Sequence, residues 1–330
     1  MTYILAKYAG LEEYDCITVA YSSQYVDNNL VGHRIHTDGK AYETTVTHNY
    51  SWWSDWFPLH VYVPFHFFPG DLTYYGARRT DGKRHRLNTT PGGQFVRELA
   101  RRAFSTGNLY RIGLGLHTLA DSWAHQNFTG TNDEWNTYSP NSPIPKVGHA
   151  DAITAPDAIT GKWIDSRLEG EYQYIDNEAR FLEAAQCLYG YLCEYTGKWQ
   201  RTTDPADHPD DWEKVRSRIK YLIGDYDEFN MRQTERINGY ILEEELLEYN
   251  KYDWFREAVH YNESESKLED MFKGYDKLAW FKEEFLHKTG FLKKSPLVGR
   301  DSFYFSHYFN WHEAAKEHVK DARLILKGVL

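Results

Sequence analysis

The chain is short of cysteine, of segment breaks and of long apolar runs, and each shortage excludes something. Only Cys16, Cys187 and Cys193 occur among 330 residues, and no two form a CxxC pair. An odd count without paired spacing fits a reducing compartment better than a disulfide framework and predicts buried thiols. No run of about 18 apolar residues is present, which excludes a helical membrane span. The opening ten residues, Met1 to Gly10, lack the basic start, apolar stretch and small-residue cleavage site of a signal peptide; the expected address is the cytoplasm. Positive charge is also in deficit, with 38 Lys plus Arg against 48 Asp plus Glu and a formal net charge of -10. A polyphosphate backbone is repelled by that balance, so no broad nucleic-acid-binding surface is expected. Gly-x-Ser-x-Gly, Gly-x-x-x-x-Gly-Lys-Ser/Thr and Gly-x-Gly-x-x-Gly motifs are all missing, which leaves serine-hydrolase and nucleotide-cofactor chemistry without support.

What is present is a large apolar and aromatic content, 41% hydrophobic residues including 16% Phe, Trp and Tyr. That is enough for a sizeable core with ring-lined clefts. No linker or low-complexity stretch divides the chain, so a single domain is expected. Apolar spacing predicts a first helix stopping at Gly10, a second over Glu12–Asn28, others over Pro91–Phe104 and Leu109–Gln126, and further helices near 171–196, 210–223, 228–249, 251–287 with a break, and 301–327. Between about 32 and 86 the pattern shortens, with Asp38-Gly39 and Asp81-Gly82 as turn signals for two small β-hairpins or extended loops. The fold expected is mainly α, a multi-helix bundle around the nearly all-apolar segment Leu109–Gln126 as its buried central helix. The Pro-, Asn- and Ser-rich stretch Thr129–Gly148 is long enough to be a functional loop over a site. Glu243-Glu244-Glu245 and Lys293-Lys294 read as solvated faces.

The chemistry concentrates in the central helix. His117, Asp121 and His125 stand four residues apart, and at about 100° per residue they share one face. The rise of about 1.5 Å per residue separates His117 from His125 by roughly 12 Å along the backbone, too far for easy joint ligation of one ion. Two divalent cations suit the spacing better, with Asp121 bridging them and each histidine serving one. The alternative is a helix whose buried histidines are held by hydrogen bonds to Asp121 and to carbonyls. Other ligands must come from elsewhere. His66 lies among aromatics in Val63-Pro-Phe-His-Phe-Phe-Pro-Gly70, where a polar ring needs a partner; in an extended segment His60 shares its face. Asp27 closes the second helix, where a carboxylate opposes the helix dipole and a cation compensates. His149, Asp151 and Asp157 follow the long loop, Asp157 also being readable as a helix start. The remaining histidines, His48 among them, read as ordinary surface or core residues.

These residues carry a resemblance. His117-x-x-x-Asp121 followed by a further histidine resembles the zinc-dependent phospholipase C superfamily, a mostly helical fold shared with secreted single-strand nucleases, in which a carboxylate stands between two zinc-ligating histidines. The chain is more closely similar to a family of uncharacterised bacterial proteins marked by Ser-Gln-Tyr-Val-Asp, Phe-His-Phe-x-Pro-Gly and His-x-x-x-Asp-x-x-x-His-Gln, here Ser23–Asp27, Phe65–Gly70 and His117–Gln126. The resemblance implies that His117, Asp121 and His125 are metal ligands, that His66, His149 and Asp27 supply the rest, and that zinc is the metal. It departs from the phospholipases at three points: three residues rather than five separate Asp121 from His125, Ile153 stands where a second acidic ligand follows His149, and Met1-Thr2 replaces the amino-terminal tryptophan that holds a third zinc.

The leading expectation is a metal-dependent hydrolase of a phosphoric ester, small or lipidic, in which Asp121 bridges two ions and Asp27 or Asp157 acts as base. The alternatives are a non-catalytic protein braced by a structural metal or a His/Asp network, and a partner- or lipid-binding module built on Trp52, Trp53, Trp56 and Phe57.

Overall fold

The computed structural model describes residues 1–48, 56, 58–70, 78–202, 207–223, 229–261, 268–272 and 297–330. Helix α1 (Thr2–Ala9) ends at Gly10 and α2 spans Glu13–Asn28. Strands β1 (Arg34–Thr37) and β2 (Lys40–Glu43) then form the hairpin signalled by Asp38-Gly39, both turn residues having positive φ (48° and 71°). A π-helical turn, Pro58–Tyr62, runs into the single α turn α3 (Val63–Phe65). Helices α4 (Gln94–Ser105) and α5 (Leu109–Ala124) follow, α5 being capped by the Asn108 side chain, which accepts from the Tyr110 and Arg111 amides at 3.0 and 3.1 Å. Beyond the loop come β3 (Lys162–Ile164), β4 (Tyr174–Asp176), α6 (Asn177–Thr196), α7 (Trp212–Ile223), α8 (Phe229–Glu244), α9 (Asp253–Ala258), β5 (Val259–His260), α10 (Leu268–Met271), β6 (Leu297–Gly299) and α11 (His307–Ile325). The molecule is mainly α, with a mixed four-stranded sheet in the order β2-β1-β6-β5, where only β1 and β6 run parallel, and a separate β3–β4 ribbon.

Helix α5 packs against α2, α4, α6 and α11. It sends Ile112, Leu116 and Leu119 into one apolar cluster with Leu5, Leu99, Leu188 and Ile219, and Leu114 into a second with Tyr25, Phe65, Trp254 and Trp311. Each fully buried Leu or Ile contributes about 1.5–3 kcal/mol relative to exposure. The closest approach is at Gly113, where a Cβ would lie 2.5 Å from Ser22 Cβ and 2.6 Å from the Val19 carbonyl of α2. Because the obstacle includes backbone, Gly113→Ala is expected to lower stability by about 1–3 kcal/mol in urea unfolding despite alanine's better helix propensity. An unchanged midpoint would show that α2 yields freely.

Several expectations are corrected. Of the two forms expected around Asp81-Gly82, the described residues show an extended loop with a turn: Arg79 clasps Asp81 through two bonds of 3.1 Å, and its backbone bridges to Leu168. The segment carrying His60 is helical, not extended, which turns His60 away from His66 to stack on Trp56 at 4.3 Å. The helix expected from 171 starts at Asn177 because Asp176 caps it, accepting from the Ala179 amide, while Tyr174–Asp176 pair with β3. The break expected within 251–287 falls after Ala258, where Val259–His260 join the sheet; residues 262–267 and 273–287 lie outside the described residues. Glu244 is not a solvated face residue: its side chain is 4% exposed and pairs with Lys7 at 3.1 Å and Arg218 at 2.7 Å. Cys16 and Cys193 are buried and Cys187 half-buried, all as free thiols. Trp52, Trp53, Phe57, Lys293 and Lys294 lie outside the described residues, whereas Trp56 is exposed. Among the described residues no helix is long and apolar enough to cross a membrane.

Candidate metal centre

Four chain segments meet over the end of α5. The helix presents His117 and Asp121 on one face. It ends at Ala124, so His125 is its C-cap (φ -99°, ψ 17°) rather than a helical residue, although its amide still bonds the Asp121 carbonyl at 2.8 Å. The last turn of α2 brings Asp27, the residue after α3 is His66, and the turn following Gly148 brings His149. Gly148 has φ 54°, and a Cβ there would lie 2.3 Å from the Phe67 ring, which itself stacks on His125 at 4.3 Å. Backbone conformation at 148 and ring placement at 125 are thereby tied together.

The hub is Asp121 Oδ2, 3.0 Å from His66 Nδ1, 3.2 Å from His117 Nε2 and 3.7 Å from His125 Nδ1. Asp27 Oδ1 lies 3.6 Å from His117 Nε2 and 3.8 Å from His66 Nδ1. On the far side of Asp121 the His125 and His149 rings stack at 4.9 Å, and His149 Nε2 is 3.6 Å from Asp157 Oδ2. Three overlapping groups result, Asp27/His48/His66, His66/His117/Asp121 and His125/His149/Asp157, each with ligand atoms within 4.8 Å of one another. The His66 and His125 ring centroids are 6.4 Å apart, so the first two groups form one neighbourhood and the third an adjoining one.

Ring orientation is set by backbone carbonyls, which can only accept. His48 Nδ1 donates to the Asp27 carbonyl at 2.9 Å, His66 Nε2 to Thr47 at 2.9 Å, His125 Nδ1 to His66 at 2.8 Å and His149 Nδ1 to Ile153 at 3.1 Å. In a neutral ring the other nitrogen is then a lone pair. His66 Nδ1, so placed, faces Asp121 Oδ2 at 3.0 Å and His117 Nε2 at 3.3 Å. Acceptors that converge this closely need a proton or a cation between them.

The electrostatics show where a proton goes. Burial disfavours a charged His117, but the Asp121 and Asp27 carboxylates outweigh it and push its pKa up to about 9. Burial likewise opposes ionisation of Asp121, yet His117 and His125 hold its carboxyl well below the usual range. Burial pulls His125 down to about 4, and burial together with His66 does the same to His48. Burial raises Asp157 despite the opposing His149. His66 and His117 lie on the floor with Asp121, and Asp27 and Asp157 form a rim: the His66 side chain is 6% exposed, those of Asp27 and Asp157 44% and 40%.

All six residues singled out as ligands, Asp27, His66, His117, Asp121, His125 and His149, are thus brought together. His60 and Asp151 are not: His60 Nδ1 donates to Trp56 at 2.7 Å, and Asp151 accepts the Tyr138 and Ser139 amides at 2.8 and 2.6 Å, a loop-bracing role. Asp157 begins no helix and faces His149 instead. His48, which reads from the sequence as an ordinary residue, joins the cluster as well; it sits in an irregular segment with no periodicity linking it to Asp27 or His66. No curated protein and no solved structure gives a significant match to the chain. A model described as a family of unknown function, DUF6765, matches residues 1–324, a span that includes every residue of this cluster, and the chain belongs to that family.

Proposed function

We propose that this cluster holds two divalent cations and that the protein is a metal-dependent hydrolase of phosphoric esters. The observation that carries the reading is the orientation of the rings: His48, His66, His125 and His149 each donate one nitrogen to a backbone carbonyl, and His66 and His149 turn the other toward Asp121 and Asp157, the arrangement that fixes metal-ligating imidazoles. Asp27, His48, His66 and His117 surround one position, His125, His149 and Asp157 the other, and Asp121 lies between. Nitrogen and carboxylate donors without thiolate suit zinc foremost among the divalent cations. In this reading the helices form one bundle gathered around α5, whose C-terminal end carries the bridging carboxylate.

Paired cations would supply Lewis acidity toward a phosphoryl oxygen and an acidified water. The chain's own residues hold and orient: the backbone carbonyls fix the rings, buried His66 and His117 keep bulk water from the floor, and the half-exposed Asp27 and Asp157 stand at the rim as proton acceptors. The phosphoric ester as substrate class rests on the adjoining two-position geometry and on the likeness of His117-x-x-x-Asp121 to the zinc phospholipases. Hydrolysis of bis(4-nitrophenyl) phosphate by purified protein tests it. Activity lost to a chelator and regained with zinc is expected; turnover that a chelator leaves intact overturns the reading.

A second reading is favoured by the His117–Asp121 contact of 3.2 Å, which, with His117 charged, is a stable pair without any cation. The cluster then braces α5 against α2 and α3 and does no chemistry. In that case the protein does not hydrolyse the diester, and chelation leaves its stability unchanged.

A further inference from the structure

Ile153 stands out in the described backbone. Its φ and ψ are 54° and -120°, a region that L-residues avoid and a β-branched residue most of all. Its side chain does not account for the conformation, being 64% exposed with little apolar surface to gain. Backbone bonds account for it. The Ile153 amide closes the short turn by donating to Ala150 at 3.1 Å, and its carbonyl is aimed at His149 Nδ1, which donates to it at 3.1 Å. With Nδ1 so engaged, His149 presents Nε2 to Asp157 and lies flat on His125.

We propose that Ile153 is a positioning residue: its strained backbone is the device that orients His149, and the His149 hydrogen bond in turn holds the strain. A relaxed φ at 153 rotates the carbonyl away, and His149 loses the acceptor that fixes its tautomer and ring plane. The consequence for cations rests on the two-cation reading above; the mechanical coupling between 149 and 153 does not.

The full-length protein tests both. Urea unfolding in chelator compares wild type, Ile153→Gly, His149→Leu and the double variant. Glycine relieves the strain but adds unfolded-state freedom, and the second effect is common to both backgrounds and cancels. The effect of Ile153→Gly on the folding constant is expected to be about tenfold more favourable with His149 present than in His149→Leu. Equal effects in the two backgrounds overturn the proposal. Cobalt(II) titration followed by visible absorption supplies the second readout. Ile153→Pro, which cannot take a positive φ, is expected to bind one cobalt where wild type binds two, and Ile153→Gly, which keeps the conformation, to bind two. Two ions in Ile153→Pro overturn the positioning role, whereas no cobalt in any protein overturns the metal reading and leaves the urea cycle to decide the coupling.

Discussion

Asp121→Asn is expected to lose both cations while leaving the protein folded. One carboxylate oxygen lies within 3.0 to 3.7 Å of three histidines of the cluster, and an amide in its place offers a weaker neutral oxygen and a donor that opposes a cation. Elemental analysis should fall from about two metals per chain toward none, and hydrolysis of the model diester by upward of roughly a hundredfold, more than outer-shell changes bring. The fold should survive. In the metal-free protein the main loss is the carboxylate that holds a proton on His117, and that histidine can surrender the proton. With a pKa of about 9, surrender at pH 7 costs at most about 3 kcal/mol, two pKa units at about 1.4 kcal/mol each. The sign follows from the raised value: the stabilisation is complete below the unfolded pKa of about 6.5 and fades as pH rises through 9. In chelator, Asp121→Asn should therefore destabilise most in mildly acidic solution and hardly at all above pH 9. Full metal content in the variant would remove Asp121 from the centre.

Acidification of the metal-free protein should unfold it well above the pH at which carboxylates titrate. Four histidines are held in neutral form, three of them buried and His48 half-buried. Burial pulls His48 and His125 to about 4, His318 to about 3 and His312 well below the ordinary value. His318 shows why: Nε2 donates to the Pro64 carbonyl at 3.0 Å, and buried Nδ1 has no partner to receive a proton's charge. A depressed folded pKa means stability that is complete above about 6.5 and lost as pH falls from there toward 4. Each such group removes up to about 1.4 kcal/mol per pH unit, so four together can consume most of a typical 5–15 kcal/mol within two units. Urea midpoints in chelator at pH 8, 6.5 and 5 should fall steeply across the last interval, less steeply in His318→Gln. A midpoint level down to pH 5 would show that these rings charge inside the fold. His117 acts in the opposite direction at alkaline pH, which places the optimum near neutrality.

Residues related by a helical repeat were legible before any fold was known. His117 and Asp121 share a face because four residues make slightly more than one turn, and the Leu, Ile and Trp around them mark that face as buried. Asp27 and His66 showed themselves by being costly where they stand, one against a helix dipole and one among aromatic rings. His48 and the facing of Asp157 on His149 had no such mark. Neither belongs to a periodic element, and an irregular segment does not record where its side chains point.

The helical class, most helix positions, the Asp38-Gly39 hairpin and six of the clustered residues could be read from the chain alone, because periodicity, caps and misplaced polarity act over a few residues. How His48 and Asp157 join them, the burial of Glu244 between Lys7 and Arg218, and the strand at Tyr174–Asp176 became visible only in the folded molecule. Those outcomes depend on partners distant in the chain: a carbonyl, a guanidinium or a neighbouring strand whose approach is set by packing across the whole core.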